Sequence, residues 1–256
     1  MNQTTGSVLQ ATATPEDPFL PSGSDRVRVL GHRGARVAGR PDNSVAAVTE
    51  ALLQGADGVE VDIWLTLDGR LVCTHDLPSP AEQSALPTLP EVLAAVQHCA
   101  GTQVVVEAKP VRDAAVAART ASVLADVLRT YAGNAAITVS SFDPALLAMI
   151  RATCADLPVR TALLGHTADP AAEVVRRASQ DGHDEVHLSL GGVRRTPDAV
   201  ATAHRLGLSV ALWTVNARVD LAWVAELGVE AVITDDIVTA WSELDRATML
   251  SQTAAA

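Results

Sequence analysis

Three acidic side chains lie on two β-rich segments of the sequence. Glu60 and Asp62 are two residues apart in Gly58–Leu65, so the period-two alternation of a strand puts both on one face. Glu107 stands near the end of Gln103–Lys109. Acids that share an interior face repel one another unless a cation lies between them, and carboxylates suit Mg²⁺ or Ca²⁺ better than zinc. We therefore expect Glu60, Asp62 and Glu107 to bind one divalent cation.

Two histidines and two cationic side chains accompany these acids. His32 and Arg33 follow the first β-rich segment in a glycine-flanked turn, His75 follows the third, and Lys109 is the only lysine of the chain. Two histidines can divide the duties of general base and general acid near neutral pH. Arg and Lys bind phosphate oxygens, and a metal ion can polarise a phosphoryl oxygen. The combination indicates chemistry at a phosphoryl group.

A predicted β-hairpin brings His75 to the acids of the second segment. Too few residues separate the second and third segments for a parallel crossover. Asp68-Gly69 instead predicts a two-residue hairpin loop, because Asp-Gly tolerates positive φ at both central positions. That loop would place Leu65 opposite Val72 and Asp62 opposite His75, with opposed side chains on the same face.

Three further residues are candidates for the wall of a substrate pocket. Phe142 and Trp213 lie at the ends of predicted strands, where large side chains either line a pocket or pack in the core. The parity of Glu185–Leu190 points His187 toward the interior, either as a polar lining residue or as a substrate contact.

Short β-rich segments alternate with helical segments along the body of the chain, a pattern that specifies parallel strands with crossover helices. The predicted strands are Val27–Leu30, Gly58–Leu65, Leu71–Thr74, Gln103–Lys109, Ile137–Phe142, Val159–Leu164, Glu185–Leu190, Ser209–Val215 and Ala231–Thr234. The predicted helices are Ser44–Gln54 with Asn43 as N-cap, Leu89–His98, Arg112–Tyr131, Pro144–Thr153, Pro170–Gln180, Pro197–Leu206, Val219–Leu227 and one near Val238–Leu244.

Nine strands are one too many for an eight-stranded barrel, and the hairpin accounts for the extra one. We predict an α/β fold, a TIM (β/α)₈ barrel with a β-hairpin extension at the second strand. The length of 256 residues agrees with the roughly 250 that are typical of this barrel. A doubly wound open sheet is the competing architecture, but no glycine-rich nucleotide loop follows the first strand.

Composition limits the classes of function. The chain is 48% hydrophobic and 19% charged with a net charge of −11, which disfavours binding to nucleic acid or to an anionic membrane. Three cysteines without metal-ligand spacing argue against a disulfide framework. Because neither a signal peptide nor a transmembrane segment is evident, we expect a cytoplasmic protein. The predicted organisation is a flexible arm (1–24), a single barrel domain (25–248) and a disordered tail (249–256).

The motifs together resemble those of the glycerophosphodiester phosphodiesterase family. The resemblance runs from about Val27 to Trp241 and rests on combined motifs that are each weak alone. They are Gly31-His32-Arg33-Gly34, Pro41-Asp42-Asn43-Ser44, Glu60-Val61-Asp62, Leu67-Asp68-Gly69, His75-Asp76, Glu107-Ala108-Lys109, Ser141-Phe142, Trp213-Thr214-Val215-Asn216 and Ile233-Thr234-Asp235.

This resemblance implies hydrolysis of glycerophosphodiesters to sn-glycerol 3-phosphate and an alcohol, with a divalent metal bound by the three acids. It also implies that a substrate hydroxyl attacks phosphorus to give a cyclic phosphate, which water then opens. His32 would be the base of the first step and His75 the acid for the leaving alcohol. Arg33 and Lys109 would contact the phosphate.

The sequence departs from the family pattern in three places, and the third departure bears on specificity. Asp42 replaces the usual Glu, and Asp236-Ile237 lacks the proline that commonly follows the Thr-Asp motif. Only ten residues, Leu77–Leu86, separate the His-Asp motif from the Pro87-Thr88-Leu89 motif that opens the next helix, where relatives carry a small subdomain over the site. A phospholipase D–like enzyme that releases a cyclic phosphate from lysophospholipids is therefore an alternative, as is a non-catalytic barrel that binds a phosphorylated ligand. The sequence leaves the alcohol moiety, the metal and the oligomeric state open.

Overall fold

A computed structural model describes residues 26–99, 101–133 and 135–254. Within these ranges the chain forms nine strands and nine helices. The strands are β1 (Arg28–His32), β2 (Gly58–Leu65), β3 (Leu71–Cys73), β4 (Gln103–Ala108), β5 (Ala136–Ser141), β6 (Val159–Leu164), β7 (Glu185–Ser189), β8 (Ser209–Trp213) and β9 (Ala231–Thr234). The helices are α1 (Val45–Leu53), α2 (Leu89–Val96), α3 (Ala114–Tyr131), α4 (Pro144–Thr153), α5 (Ala171–Gln180), α6 (Leu190–Arg195), α7 (Asp198–Arg205), α8 (Arg218–Leu227) and α9 (Ile237–Ala254).

Eight parallel strands close into a barrel. β1 pairs with β9 on one side and with β2 on the other, so the ring has no open edge. β3 stands outside the ring and pairs antiparallel with β2. The predicted TIM barrel with a hairpin at the second strand is confirmed, and the competing open sheet is wrong.

Alternation along β2 divides the core from the barrel interior. Val59, Val61 and Ile63 are buried in the main hydrophobic cluster, which includes residues of the surrounding helices. Glu60 and Asp62, between them, take the opposite face, because side chains of a strand alternate. A second, smaller cluster of apolar side chains comes from strands on both sides of the ring: Leu30, Val105, Ala211, Ala231 and Ile233.

The hairpin after β2 has a different register from the predicted one. Leu65 pairs with Leu71, and the Thr66 amide donates to the Arg70 carbonyl at 2.9 Å, which leaves a three-residue loop. The loop ends at Gly69 with φ of 88°, the conformation that a three-residue hairpin requires of its last residue. The Thr66 hydroxyl favours this longer loop because it bonds Asp68 and accepts from the Arg70 amide.

This register corrects the predicted position of His75. The Thr74 amide donates to the Asp62 carbonyl at 3.1 Å, so Thr74 and not His75 is the cross-strand neighbour of Asp62. β3 ends at Cys73, and His75 lies in the bend that follows. No helix or strand of the structure lies between Cys73 and Leu89, a described segment that includes the shortened Leu77–Leu86 connection.

Most helix boundaries lie within two residues of the prediction, and two elements differ more. The short helix α6 begins where a strand end was predicted, because the Ser189 hydroxyl caps it by accepting from the Gly192 amide at 3.1 Å. The last helix was predicted near Val238–Leu244 but continues to Ala254, into the range predicted as a tail. The predicted arm lies outside the described residues, and the proposed domain limits stay a prediction.

No helix among the described residues combines the length and apolar character needed to cross a bilayer.

Gly58 allows β2 and β4, which carry the three acids, to pair closely. A Cβ atom on Gly58 would lie 2.0 Å from the carbonyl oxygen of Gln103, its partner in the parallel register. We predict that Gly58→Ala lowers the free energy of unfolding by about 1–3 kcal/mol or more, because a backbone atom must move. Thermal denaturation of the variant measures this loss.

Gly133→Ala is the matched control, since none of the described residues outside its chain neighbours lies within 4 Å of the added methyl group. Equal melting temperatures for the two variants would contradict the predicted clash.

Candidate active site

A cavity of about 170 Å³ opens at the carboxyl ends of the barrel strands. This end of a TIM barrel is the usual place for an active site. All the predicted site residues except Asp62 line the cavity, and Asp62 is almost fully buried beside it. The complete lining is His32, Arg33, Glu60, His75, Glu107, Lys109, Ser140, Phe142, Leu164, His187, Trp213 and Ile233.

The three acids converge at this cavity. One carboxylate oxygen from each of Glu60, Asp62 and Glu107 lies within 4.8 Å of the others. All three side chains are buried, and Asp62 and Glu107 are register partners on the neighbouring strands β2 and β4. Oxygen atoms at this separation can bind one hard divalent cation, so the donor set fits Mg²⁺ or Ca²⁺.

Lys109 lies between two of the acids. Its Nζ atom is 2.5 Å from Asp62 Oδ1 and 2.6 Å from Glu107 Oε1, with the Lys109 side chain only 8% exposed. An ammonium in this position offsets part of the repulsion between the carboxylates. Its charge explains why the only lysine of the chain is placed here.

The three acids differ in how readily they ionise. Burial and the charges of Asp62 and Glu107 raise the pKa of Glu60 well above its usual value. Burial also raises the pKa of Glu107, and Lys109 only partly offsets this effect. Burial acts in the same direction on Asp62, but Lys109, Asn43 and Arg33 outweigh it and lower the Asp62 pKa.

Asn43 fixes the side chain of Asp62. Its Nδ2 donates to Asp62 Oδ2 at 2.9 Å, and its Oδ1 accepts from the Asp62 amide at 2.8 Å. The sequence predicted Asn43 as the N-cap of α1, which is wrong. Ser44 is the cap and accepts from the Ala47 amide, while Asn43 adopts φ of 60° and turns its side chain to Asp62.

Arg33 contributes both its backbone and its side chain. Its amide donates to Glu60 Oε2 at 3.0 Å, and its guanidinium Nε is 3.2 Å from Asp62 Oδ2. Arg33 has φ of 59°, which is uncommon for a non-glycine residue and is consistent with a functional constraint on the turn. The predicted phosphate contact is thus ion-paired with an acid of the cluster.

His32 is oriented by a carboxylate that the sequence reasoning did not assign a role. Its Nδ1 is 2.8 Å from Asp235 Oδ1, and Asn216 Nδ2 donates to the other oxygen of Asp235 at 2.8 Å. Burial raises the pKa of Asp235, but the hydrogen bond and charge of His32 outweigh this and lower it overall. A carboxylate can only accept, so Nδ1 of His32 carries a proton and Nε2 of the neutral ring carries a lone pair.

His75 has a similar partner in the next residue. Its Nδ1 lies 2.8 Å from Asp76 Oδ1, and its carbonyl accepts from Trp64 Nε1 at 3.2 Å. The His75 side chain is 47% exposed, whereas that of His32 is 17% exposed. The two imidazoles therefore approach the cavity from different depths.

Apolar side chains from β6, β8, β9 and the end of β5 line much of the remaining cavity wall. Phe142 and Trp213 contact each other edge to face, with ring centroids 5.6 Å apart, and Leu164 and Ile233 complete this wall. His187 is fully buried among them. The structure therefore brings all three predicted wall residues to the cavity.

Sequence reasoning assigned no role to several residues that act through others. Asp76, Asp235 and Asn216 belong to motifs that were identified only by resemblance. The only sequence feature that could have pointed to them is that each is a polar residue within such a motif. Only the fold reveals which histidine each one contacts. Ser140, on β5, gave no signal beyond strand parity.

Comparison with known proteins agrees with this fold and site. The profile of the glycerophosphoryl diester phosphodiesterase family matches residues 32–79 and 77–239. The two matches cover nearly the whole barrel and include every predicted site residue. The structure has the features of this family's class of protein: a closed (β/α)₈ barrel with an acidic, histidine-containing cavity at the carboxyl ends of its strands. The chain belongs to the glycerophosphoryl diester phosphodiesterase family.

Curated relatives match over a short segment. A protein named probable glycerophosphodiester phosphodiesterase 1 from Mycobacterium tuberculosis is 58% identical over 48 residues, which are 19% of this chain and 17% of that protein. A glycerophosphodiester phosphodiesterase from Bacillus altitudinis is 45% identical over 49 residues, 19% of this chain and 20% of that protein. The aligned segments thus span about a fifth of each relative's length.

Solved structures resemble the chain over most of its length. A glycerophosphodiester phosphodiesterase from Parabacteroides distasonis superposes with a TM-score of 0.73 at 20% identity, covering 91% of this chain and all of that one. An Oleispira antarctica phosphodiesterase in complex with sn-glycerol-3-phosphate gives a TM-score of 0.71 at 22% identity, covering 86% and 97%. At this identity the likeness establishes the fold.

Glu60 should lower the stability of the metal-free protein above acidic pH. Because its pKa is raised in the folded state, folding favours its protonated form. Protonated Glu60 therefore adds to the free energy of unfolding. This stabilisation is complete below the pKa of Glu60 in the unfolded chain and is lost as the pH rises through its pKa in the folded protein. We predict that Glu60→Gln raises the melting temperature at pH 8 by about 3–5 °C and changes it little at pH 4.

Calorimetry in the presence of a chelator measures this difference. Glu226→Gln is the control, because Glu226 is exposed and lies on the outer helix α8. A variant of Glu60 that is less stable than the parent at pH 8 would contradict the assigned cost of ionisation.

Proposed function

We propose that this protein is a metal-dependent phosphodiesterase that hydrolyses glycerophosphodiesters to sn-glycerol 3-phosphate and an alcohol. The observation that carries the proposal is the convergence of three buried acids, two carboxylate-paired histidines and two cations on one cavity. Membership of the family and the name of the matched relatives support this substrate class.

Glu60, Asp62 and Glu107 would hold one divalent cation, Mg²⁺ or Ca²⁺. When bound, such an ion polarises a phosphoryl oxygen and neutralises developing negative charge. Asn43 and the Arg33 amide keep two of the acids in place for this role. Because Glu60 and Glu107 have raised pKa values, proton release must accompany metal binding at acidic pH.

Lys109 and Arg33 would contact the phosphate. Both lie in the cavity wall next to the acids, and both are cations that bind phosphate oxygens. The net charge of −11 repels an anionic substrate at a distance. The local cations must therefore provide the attraction inside the cavity.

The two histidines would exchange protons with the substrate. In the first step, Nε2 of His32 takes the proton of a substrate hydroxyl that attacks phosphorus, while His75 gives a proton to the departing alcohol oxygen. The product of this step is a cyclic phosphate. In the second step, water attacks phosphorus as His75 takes its proton, and His32 returns a proton to the hydroxyl that is released.

A specific observation keeps a second candidate function open. The segment after His75 contains no helix or strand before Leu89, so no subdomain covers the cavity mouth within the described residues. An uncovered mouth admits bulkier diesters such as lysophospholipids, for which release of the cyclic phosphate is the phospholipase D–like outcome.

A cytoplasmic location remains part of the proposal.

Product analysis tests the reaction. We predict that the purified protein with Mg²⁺ or Ca²⁺ converts glycerophosphodiesters to glycerol 3-phosphate. Phosphorus NMR of the reaction mixture measures this conversion. A chelator or Glu60→Ala should lower the rate by at least about 100-fold, because the cation loses its site. Glu226→Gln should leave the rate unchanged.

The form of the product separates the candidates. A persistent cyclic phosphate signal from lysophospholipids would favour the phospholipase D–like reaction. Absence of cleavage for every diester in a panel, with either metal, would contradict an enzymatic function and favour a barrel that only binds phosphorylated ligands.

The assignment of His75 as acid predicts a dependence on the leaving group. An alcohol of high pKa needs a proton as it departs, whereas p-nitrophenolate leaves without one. We expect His75→Ala to lower kcat about 100-fold or more for glycerophosphocholine and only a few-fold for a p-nitrophenyl diester of glycerol phosphate. His32→Ala should lower kcat for both substrates. Equal losses for His75→Ala on the two substrates would contradict its role as the acid.

A further inference from the structure

His187 is a buried histidine in which one ring nitrogen is hydrogen-bonded and the other has no hydrogen-bond partner among the described residues. Its Nε2 lies 3.1 Å from Glu185 Oε2, and its side chain is fully buried. Its Nδ1 has no hydrogen-bond partner among the described residues. A buried polar atom without a partner is rare in native proteins and destabilises the fold unless a ligand or water completes it.

The bond to Glu185 sets the chemistry of the free nitrogen. Thr138 donates to the other oxygen of Glu185 at 3.1 Å, and an Arg160 nitrogen lies 3.8 Å away from it. The buried carboxylate therefore accepts, and Nε2 of His187 donates the proton. In the neutral ring Nδ1 is then an acceptor, which matches a ligand group that donates.

His187 lies across the barrel from the acids. Around the ring, β7 is four strands from β2 in either direction, by way of β4, β5 and β6 or by way of β1, β9 and β8. Its neighbours in the cavity wall are Leu164, Phe142 and Trp213, and the indole nitrogen of Trp213 already donates to the His187 carbonyl. The part of a ligand that reaches this wall therefore meets mostly carbon atoms, the His187 acceptor and the Ser140 hydroxyl, which also has no hydrogen-bond partner among the described residues.

We infer that His187 Nδ1 accepts a hydrogen bond from the terminal hydroxyl of the substrate's glycerol moiety, and so selects a polyol over a simple alkyl phosphate. This inference rests on the proposed function. A phosphate placed at Lys109 and Arg33 directs the remaining glycerol carbons toward β7. The apolar wall contacts those carbons, and the hydroxyl at their end is the donor that His187 lacks. His187 is thus a specificity residue and takes no part in proton transfer.

Binding of two monophosphates tests the inference directly. The ligands are sn-glycerol 3-phosphate and propane-1,2-diol 1-phosphate, which lacks only the terminal hydroxyl. Isothermal titration calorimetry with Mg²⁺ should give a Kd for the first that is about tenfold lower than for the second, as expected for one uncharged hydrogen bond.

Two substitutions separate the nitrogens of His187. His187→Gln keeps a donor to Glu185 and removes the Nδ1 acceptor, so it should bind both ligands with the same Kd, close to that of the parent for the deoxy ligand. His187→Asn places an amide oxygen where Nδ1 stood and should keep most of the preference. Thermal denaturation of each variant shows whether the fold is retained.

Each result decides the inference. A parent protein that binds the two ligands equally, or binds neither, overturns it. So does a Gln variant that loses affinity for both ligands by the same factor, because His187 would then act on the phosphate or on the fold. Discrimination by a parent that cleaves no diester would support the subsite and refute the proposed reaction, whereas cleavage without discrimination would do the reverse.

Discussion

Repulsion among three buried carboxylates is the constraint on which the rest of the site depends. Glu60, Asp62 and Glu107 come within 4.8 Å of one another on adjacent strands, in a part of the barrel that excludes most water. Such a group is stable only with positive charge nearby or with some of its members protonated. Lys109 supplies one charge, and burial together with the neighbouring acids still raises the pKa values of Glu60 and Glu107. A divalent cation would satisfy the remainder.

The surrounding residues are arranged around this cluster. Asn43 and Arg33 hold two of the acids from the loop after β1, so that loop is tied to β2 through polar bonds. Each histidine has its own carboxylate, Asp235 or Asp76, outside the cluster, which orients an imidazole without adding a fourth acid to it. The remaining cavity wall is mainly apolar, with Ser140 and His187 as its polar side chains among the described residues, so the site has a charged part and a part that mostly contacts carbon.

Much of the fold and the chemistry was predictable because both depend on local patterns. Strand alternation put Glu60 and Asp62 on one face, and strands followed by helices fixed the barrel. The hairpin register was missed because the Thr66 side chain, and not the Asp68-Gly69 pair alone, determines the loop length. Asn43 was mistaken for a helix cap because its bond partner lies on a strand nineteen residues away. Contacts of this kind depend on the closed barrel and leave no local signal.

Metal location by anomalous scattering tests the central claim most directly. Crystals soaked in Mn²⁺, a hard cation that takes carboxylate ligands, should show one strong anomalous peak within coordination distance of Glu60, Asp62 and Glu107. Lys109 Nζ should have moved away from at least one of its two carboxylates. A peak elsewhere, or none at saturating Mn²⁺ with Lys109 still between Asp62 and Glu107, would contradict the account.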